Sequence, residues 1–118
     1  MNYPTYPVEI DRVDYQDYKN IGLYLTKFVE DDIPVLFIGN EETQEMITIC
    51  NLNPSDSYCL NDFEFAIKDY SENEGMVDWL LLNRFMENPH SSYISGFVNV
   101  PICYASEKLK QKILEICG

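Results

Sequence analysis

Apolar and polar positions alternate along much of the first half of the chain, which predicts β-strands. In the clearest run, Ile21, Leu23 and Leu25 fall on one face, whereas Tyr24, Thr26 and Phe28 fall on the other. Shorter runs, continuous or alternating, predict further strands. The predicted strands cover residues 8–10, 21–30, 35–38, 46–52, 63–67 and 97–104.

Turn residues separate these runs. Residues 14–20 are predicted to form a polar turn or a single helical turn, and Asp, Asn, Gly and Pro at 31–34 and 39–42 favour turns. Because the turns are short, the early strands should pair antiparallel as a meander.

The period changes to that of a helix over residues 76–85, where apolar side chains recur three and four positions apart. Ser71 and Glu74 have the spacing of a capping box, and Asn73 is an alternative N-cap. A second helix should begin after Ser106 and carry one apolar stripe, formed by Leu109, Ile113 and Ile116. Together these elements predict one α+β domain spanning residues 1–118. It should have an antiparallel sheet of about five strands with two helices packed on one face.

Charge adds information that the pattern does not. The 118 residues carry a formal net charge of -12, and residues 1–107 alone hold nineteen acids and five bases, a net of -14. Such a surface repels phosphate, so it argues against direct binding of nucleic acid or of an anionic membrane. It favours a basic partner surface, or it serves only solubility.

The second half resembles a known family in its short motifs. Residues 71–75 (Ser-Glu-Asn-Glu-Gly) lead into the predicted helix, and Ser95-Gly96-Phe97 precedes Pro101 and Tyr104. This pattern is similar to that of the 4313 family of domains of unknown function, which are small proteins of conjugative elements and phages of Gram-positive bacteria. The family's Thr-Gly-Arg turn is replaced here by residues 89–93. The resemblance implies a mobile-element context and no known activity.

Residues with catalytic or metal-binding chemistry are sparse. Four cysteines form no Cys-x-x-Cys pair, so no zinc site, other metal site or cofactor is expected. Cys50 and Cys103 lie in apolar runs, as buried free thiols do. Without a basic and apolar leader or a long apolar run, the sequence predicts a cytoplasmic protein. His90 follows a helix-breaking proline and should be an exposed loop residue, so no catalytic residue is expected.

The acidic surface is the feature of the sequence that is most informative about function. Rows of carboxylates can imitate phosphates in a basic groove of another protein, and tyrosines beside them supply anchors. If residues 11–17 were helical, their three Asp side chains would share one side. The candidate partner-binding residues are Asp11, Asp14, Tyr15, Asp17, Tyr18, Glu30, Asp31, Asp32, Glu41 and Glu42.

These observations lead to a hypothesis of a non-enzymatic binding protein of a mobile element or phage. Its partner would be a basic surface of a host protein, and its sharper form is an anti-defence inhibitor, against CRISPR or restriction systems, that mimics DNA. The alternative is an accessory or regulatory protein of a conjugative element, whose charge serves only solubility. An enzyme comes third.

Overall fold

The computed structural model describes residues 1–29, 31–40, 42–54 and 59–118. Within them the chain is α+β, with antiparallel sheets and two helices, as predicted. The prediction of one sheet of about five strands is wrong, because the strands form two sheets of four strands each. The chain divides into two compact units, residues 1–50 with 113–118 and residues 51–112.

The first unit contains an antiparallel meander in which each strand pairs with the next along the chain. Its strands are β1 (Val8–Tyr15), β2 (Tyr18–Lys27), β3 (Pro34–Asn40) and β4 (Glu45–Ile49).

The two faces of this sheet follow the predicted alternation. Leu23 and Leu25 are opposite Ile38 and Leu36 on the neighbouring strand, and all four side chains are fully buried. The other face carries Tyr24 with its cross-strand neighbours, which are only half-buried. Burial of the aliphatic face fixes the register, because a slip of one residue would turn these side chains to the other side.

The stretch 14–20 contains a polar turn, as predicted, but the turn is confined to Gln16 and Asp17, and no helical turn forms. Strand β1 continues to Tyr15 and turns back through Gln16 and Asp17 into β2. Gln16 and Asn20 both adopt positive φ angles of 52°. The three aspartates of this region therefore do not lie on one side of a helix.

The predicted strand over 46–52 is divided between the two sheets. Residues up to Ile49 belong to β4, whereas Asn51–Leu52 forms β5, which pairs with residues 66–67. Between them, the Cys50 amide still donates to the Leu36 carbonyl at 2.8 Å. The apolar run is continuous in sequence, so its period could not show this change of partner.

The second unit contains the sheet with strand order β5-β6-β8-β7, which adds β6 (Glu64–Ile67), β7 (Ser91–Ser95) and β8 (Val98–Tyr104). Ala66, Val100 and Ile102 are fully buried at its centre, and Tyr93 packs against them. Strand β7 was not predicted, because its five residues include three serines and show no apolar alternation.

Helix α1 (Met76–Leu82) follows a 3₁₀ turn at Ser71–Asn73. The predicted capping box is wrong, because the helix begins after Gly75, whose φ is 93°. Its N-terminal amides are satisfied from outside the predicted box. The Asp69 carboxylate accepts from Gly75 N–H at 2.8 Å and from Val77 N–H at 2.9 Å.

Helix α1 ends earlier than predicted, in a Schellman motif. Phe85 N–H donates to the Leu80 carbonyl at 2.9 Å, and Arg84 N–H donates to the Leu81 carbonyl at 3.0 Å. Arg84 takes the left-handed position of this motif, with φ at 62°. Leu82, an apolar residue in the last turn of the helix, is 81% exposed.

Replacing Arg84 with glycine should raise the free energy of unfolding by about 0.5–1 kcal/mol. The left-handed conformation costs a side-chain-bearing residue roughly 1–2 kcal/mol, and the larger backbone entropy of glycine offsets part of that gain. Urea unfolding of Arg84→Gly beside Arg84→Ala measures it. Equal stability of the two variants would show that the left-handed position carries no strain.

Helix α2 (Glu107–Cys117) confirms its prediction. The Ser106 hydroxyl accepts from Leu109 N–H at 3.2 Å, which is an N-cap bond. Leu109 and Ile113 are fully buried, and Ile116 is half-buried. In the described part of the chain, no helix has the length and apolar character needed to cross a bilayer.

Candidate functional site

The half-buried face of the first sheet holds a groove of about 750 Å³. Its floor comes from the centres of β2, β3 and β4, where Tyr24, Phe37 and Ile49 lie in cross-strand register. Val29 and Met46 stand at its margin and are 97% and 57% exposed. The volume lies in the range of small-molecule and peptide side-chain sites, and the lining is mainly apolar.

Two aromatic rings define the floor of the groove. Tyr24 and Phe37 are stacked, with ring centroids 5.2 Å apart and planes 13° from parallel. Two glycines, Gly22 and Gly39, lie opposite each other on β2 and β3. A Cβ at Gly22 would come within 2.5 Å of the Tyr24 ring, so the absence of a side chain lets this ring lie flat against the sheet.

The sequence carries a signal for this face. Tyr24 and Phe28 alternate with the aliphatic residues of the strand and therefore lie on its opposite face. Polar residues usually occupy the solvent side of an antiparallel strand. Aromatic side chains on the solvent side of the strand, together with glycines at paired positions, therefore indicate a binding surface.

A second, more polar cavity of about 250 Å³ adjoins the groove through Asn40, which lines both. It lies where the β1–β2 and β3–β4 turns meet at one end of the sheet, and it brings together three candidate residues: Asp17, Tyr18 and Glu42. The cavity is also lined by two bases, Lys19 and Arg12, and Arg12 donates to the Glu9 carboxylate at 2.6 Å.

Two of the predicted partner-binding acids accept hydrogen bonds within the hairpin. The Asp14 carboxylate accepts from Asn20 N–H at 2.8 Å, and the Asp11 carboxylate accepts from Arg12 N–H at 2.8 Å. Asp11 is also half-buried and opposite Leu23 on the aliphatic side of the sheet. Both side chains therefore support the hairpin as well as adding charge.

The two predicted tyrosine anchors differ. Tyr18 is 42% exposed and lines the polar cavity. Tyr15 is only 7% exposed and belongs to the core, so its ring offers a partner little surface. Tyr15 lies one position before the tight turn, and its ring falls on the same side of the strand as the buried Val13.

Asp31 and Asp32 do not lie near Asp17 and Glu42. Asp31 and Asp32 are exposed in the β2–β3 connection, at the end of the sheet opposite to Asp17 and Glu42. Glu30 and Glu41 lie outside the described residues. The acids thus stand at both ends of the strands, and the aromatic groove lies between the ends.

The first unit nevertheless carries most of the charge. Its sequence holds eleven acids and three bases, a net of −8, whereas the second unit holds nine acids and five bases, a net of −4. A partner that approaches the groove from a distance therefore meets a negative electrostatic potential.

His90 is an exposed loop residue, as predicted, but its side chain has partners. Its Nε2 lies 2.9 Å from Oε2 of Glu64, whose side chain is only 2% exposed. The imidazole also stacks on Tyr104, with centroids 4.4 Å apart. The other carboxylate oxygen accepts from Asn61 N–H at 2.7 Å. These contacts satisfy a buried carboxylate, which is a structural role.

Two of the four cysteines are buried thiols. Cys50 and Cys103 are free and buried, as predicted. Burial raises the pKa of Cys50 to about 12 and, with a smaller effect of the Asp69 charge, that of Cys103 to about 11. Both therefore stay protonated near neutral pH, in the form that is a poor nucleophile. Among the described side chains, no group of three potential ligands is placed to hold a metal ion.

Comparison of the chain with the models of known protein families, with characterised proteins and with solved structures finds no match. The resemblance in the second half therefore stays a prediction.

Proposed function

We propose that this chain is a non-enzymatic binding protein that captures a basic segment of another protein on the aromatic groove of its first sheet. The observation that carries the proposal is the stacked Tyr24–Phe37 floor, 5.2 Å between centroids, open to solvent in a unit of net charge −8.

The contact itself is apolar. Aromatic side chains in a concave surface are the residues that supply most binding energy at protein interfaces. An extended segment lying across the strands could place one apolar side chain over the Tyr24 and Phe37 rings. The exposed Val29 and Met46 would then close over that side chain.

The charge acts mainly at longer range. Among the described residues that line the groove, only Lys27 and Glu45 are charged, and their charges are opposite. The acids at both ends of the strands would draw in lysines or arginines that flank the apolar anchor. Such steering raises the rate of association and weakens with salt.

The narrower form of the proposal is an inhibitor of a nucleic-acid-binding host protein, carried by a phage or conjugative element. In that form, the carboxylates at the strand ends occupy places that phosphates would take. Competition with duplex DNA for a purified nuclease or restriction complex tests this form separately from the groove itself.

Reversing two exposed acids beside the groove should weaken binding of a basic segment by about tenfold at low salt. The variant is Asp17→Lys with Glu42→Lys, and the probe is a short labelled peptide that alternates lysine with leucine and phenylalanine. Affinity is measured by fluorescence anisotropy at two salt concentrations.

The matched control, Glu74→Lys with Glu87→Lys, makes the same change of total charge with two exposed acids of the second unit. It should lose clearly less affinity than the first variant. Equal losses would mean that only net charge matters. If the peptide does not bind at low salt, the proposal fails and the charge serves solubility alone. That outcome favours the alternative, an accessory protein of a conjugative element.

A further inference from the structure

The longest stretch without Asp, Glu, Lys or Arg covers nineteen residues, 88–106, in a chain of which 24% is charged. It contains β7 and β8 and the turn between them. The hairpin exposes the side chains of Ile94, in β7, and Phe97, in the turn, which are 76% and 109% exposed. Strongly exposed apolar side chains concentrated on one hairpin are uncommon on a monomer's surface.

Strand β7 is also the last strand of its sheet, so among the described residues no strand pairs with its outer edge. Edge strands usually carry a lysine, a proline or a bulge that blocks further pairing. None of the five residues of β7 is charged or is a proline, and their pairing with β8 is regular.

The register shows which backbone groups are unused. Gly96 and Phe97 form a two-residue turn, with Gly96 at a φ of 64°, and Ser95 is opposite Val98. In such a turn the closing pair exchanges both hydrogen bonds, and every second pair does so after it. The N–H and C=O groups of Tyr93 therefore face β8, whereas those of Ser92 and Ile94 point away from the sheet.

We propose that β7 pairs antiparallel with β7 of a second copy of this chain. A two-fold axis at Tyr93 places Ser92 of each copy opposite Ile94 of the other, and each such pair exchanges two hydrogen bonds. Four hydrogen bonds form, and the two sheets become one continuous sheet. Since each chain carries a charge of -12, the charge-free edge is where two copies repel each other least.

Five residues make a small interface, so the dimer should be weak, with a dissociation constant on the order of 100 µM. Screening of the like charges should strengthen the dimer as salt rises. Salt has the opposite effect on capture of a basic segment, so the two associations can be told apart by this sign alone.

The test is sedimentation velocity of the full chain across this concentration range, joined to amide hydrogen exchange. Ser92→Pro removes an N–H that makes no bond to β8, and Ile94→Lys places a charge on the edge. Both should remain monomers of 13.8 kDa with unchanged circular dichroism, whereas the parent chain dimerises. The control Phe97→Ser removes the most exposed apolar side chain and leaves the edge intact, so it should still dimerise.

Hydrogen exchange gives a second readout. The Ser92 and Ile94 amides should become protected as concentration rises, whereas the Tyr93 amide should be protected throughout. A parent chain that stays monomeric across the range overturns the proposal. So does loss of the dimer in Phe97→Ser, which would mean apolar association through the turn, and so does a dimer that persists in Ser92→Pro and Ile94→Lys.

Discussion

Replacing His90 with alanine should lower the free energy of unfolding by about 2 kcal/mol. The substitution leaves the Glu64 carboxylate, 2% exposed, with one charge-assisted partner fewer. A buried polar group that loses its partner costs roughly 1–3 kcal/mol. Because the His90 side chain is 35% exposed, water can reach the vacated space, and this limits the loss. Urea unfolding followed by circular dichroism measures the change.

A double-mutant cycle separates this pair from simple loss of packing. Glu64→Gln keeps the size of the side chain and an oxygen for Asn61 N–H, so the loss on replacing His90 should shrink in that background. We expect a coupling energy of about 1 kcal/mol. Ser91→Ala, on the exposed neighbouring residue, should change stability by less than about 0.5 kcal/mol. Additive single losses would contradict the assigned role of His90.

Replacing Phe37 with alanine should weaken binding of the basic apolar peptide by about 30-fold or more, whereas the fold stays intact. Loss of a central aromatic anchor costs at least about 2 kcal/mol at interfaces, which is about 30-fold in affinity. Phe37 lies on the half-buried face of the sheet, so its removal should cost less stability than loss of a fully buried residue. Anisotropy titration of folded protein measures the affinity.

Two variants make this prediction sharp. Phe37→Leu keeps an apolar side chain but loses the stack with Tyr24, so its affinity should fall between those of the parent and of Phe37→Ala. Val29→Ala trims a groove residue that is 97% exposed and should change affinity little, because contacts at a rim contribute little energy. An equal effect of Val29→Ala and Phe37→Ala would mean that the peptide does not use the aromatic floor.

Parts of the fold were readable from the sequence because local pattern and burial agree. Leu23 and Leu25 alternate with Tyr24, and one face of that strand is fully buried. The last helix combines an N-cap at Ser106 with an apolar stripe, and both signals act within a few residues. Signals of this kind need no knowledge of distant partners.

Other parts depend on residues far apart along the chain. One partner of the Glu64 carboxylate is His90, which is distant in sequence, so the residues around Glu64 did not show that this carboxylate is buried. The capping residue Asp69 lies outside the usual N-cap position, so the capping-box pattern pointed to the wrong residues. The edge strand β7 is exposed along most of its length and therefore lacks the alternation that marks a strand.

The candidate site shows the same division. Acidity was apparent from composition, but composition does not show that Asp17 and Glu42 share a cavity while Asp32 lies at the other end of the sheet. The aromatic groove could have been suggested from the polar-side positions of β2. Its depth depends on two glycines that become neighbours only when β2 and β3 pair.

The strand orders of the two sheets have a consequence for folding speed. Every pairing in the first sheet joins consecutive strands through short turns, so each hairpin can form with little loss of chain entropy. In the second sheet, β6 pairs with β8, as in the contact of Phe65 with Cys103, and helix α1 and strand β7 lie between them in sequence. Closing that long loop is slower because chain entropy is lost before the contacts form. The meander should therefore form first, and the second sheet should set the rate at which the whole chain reaches its native state.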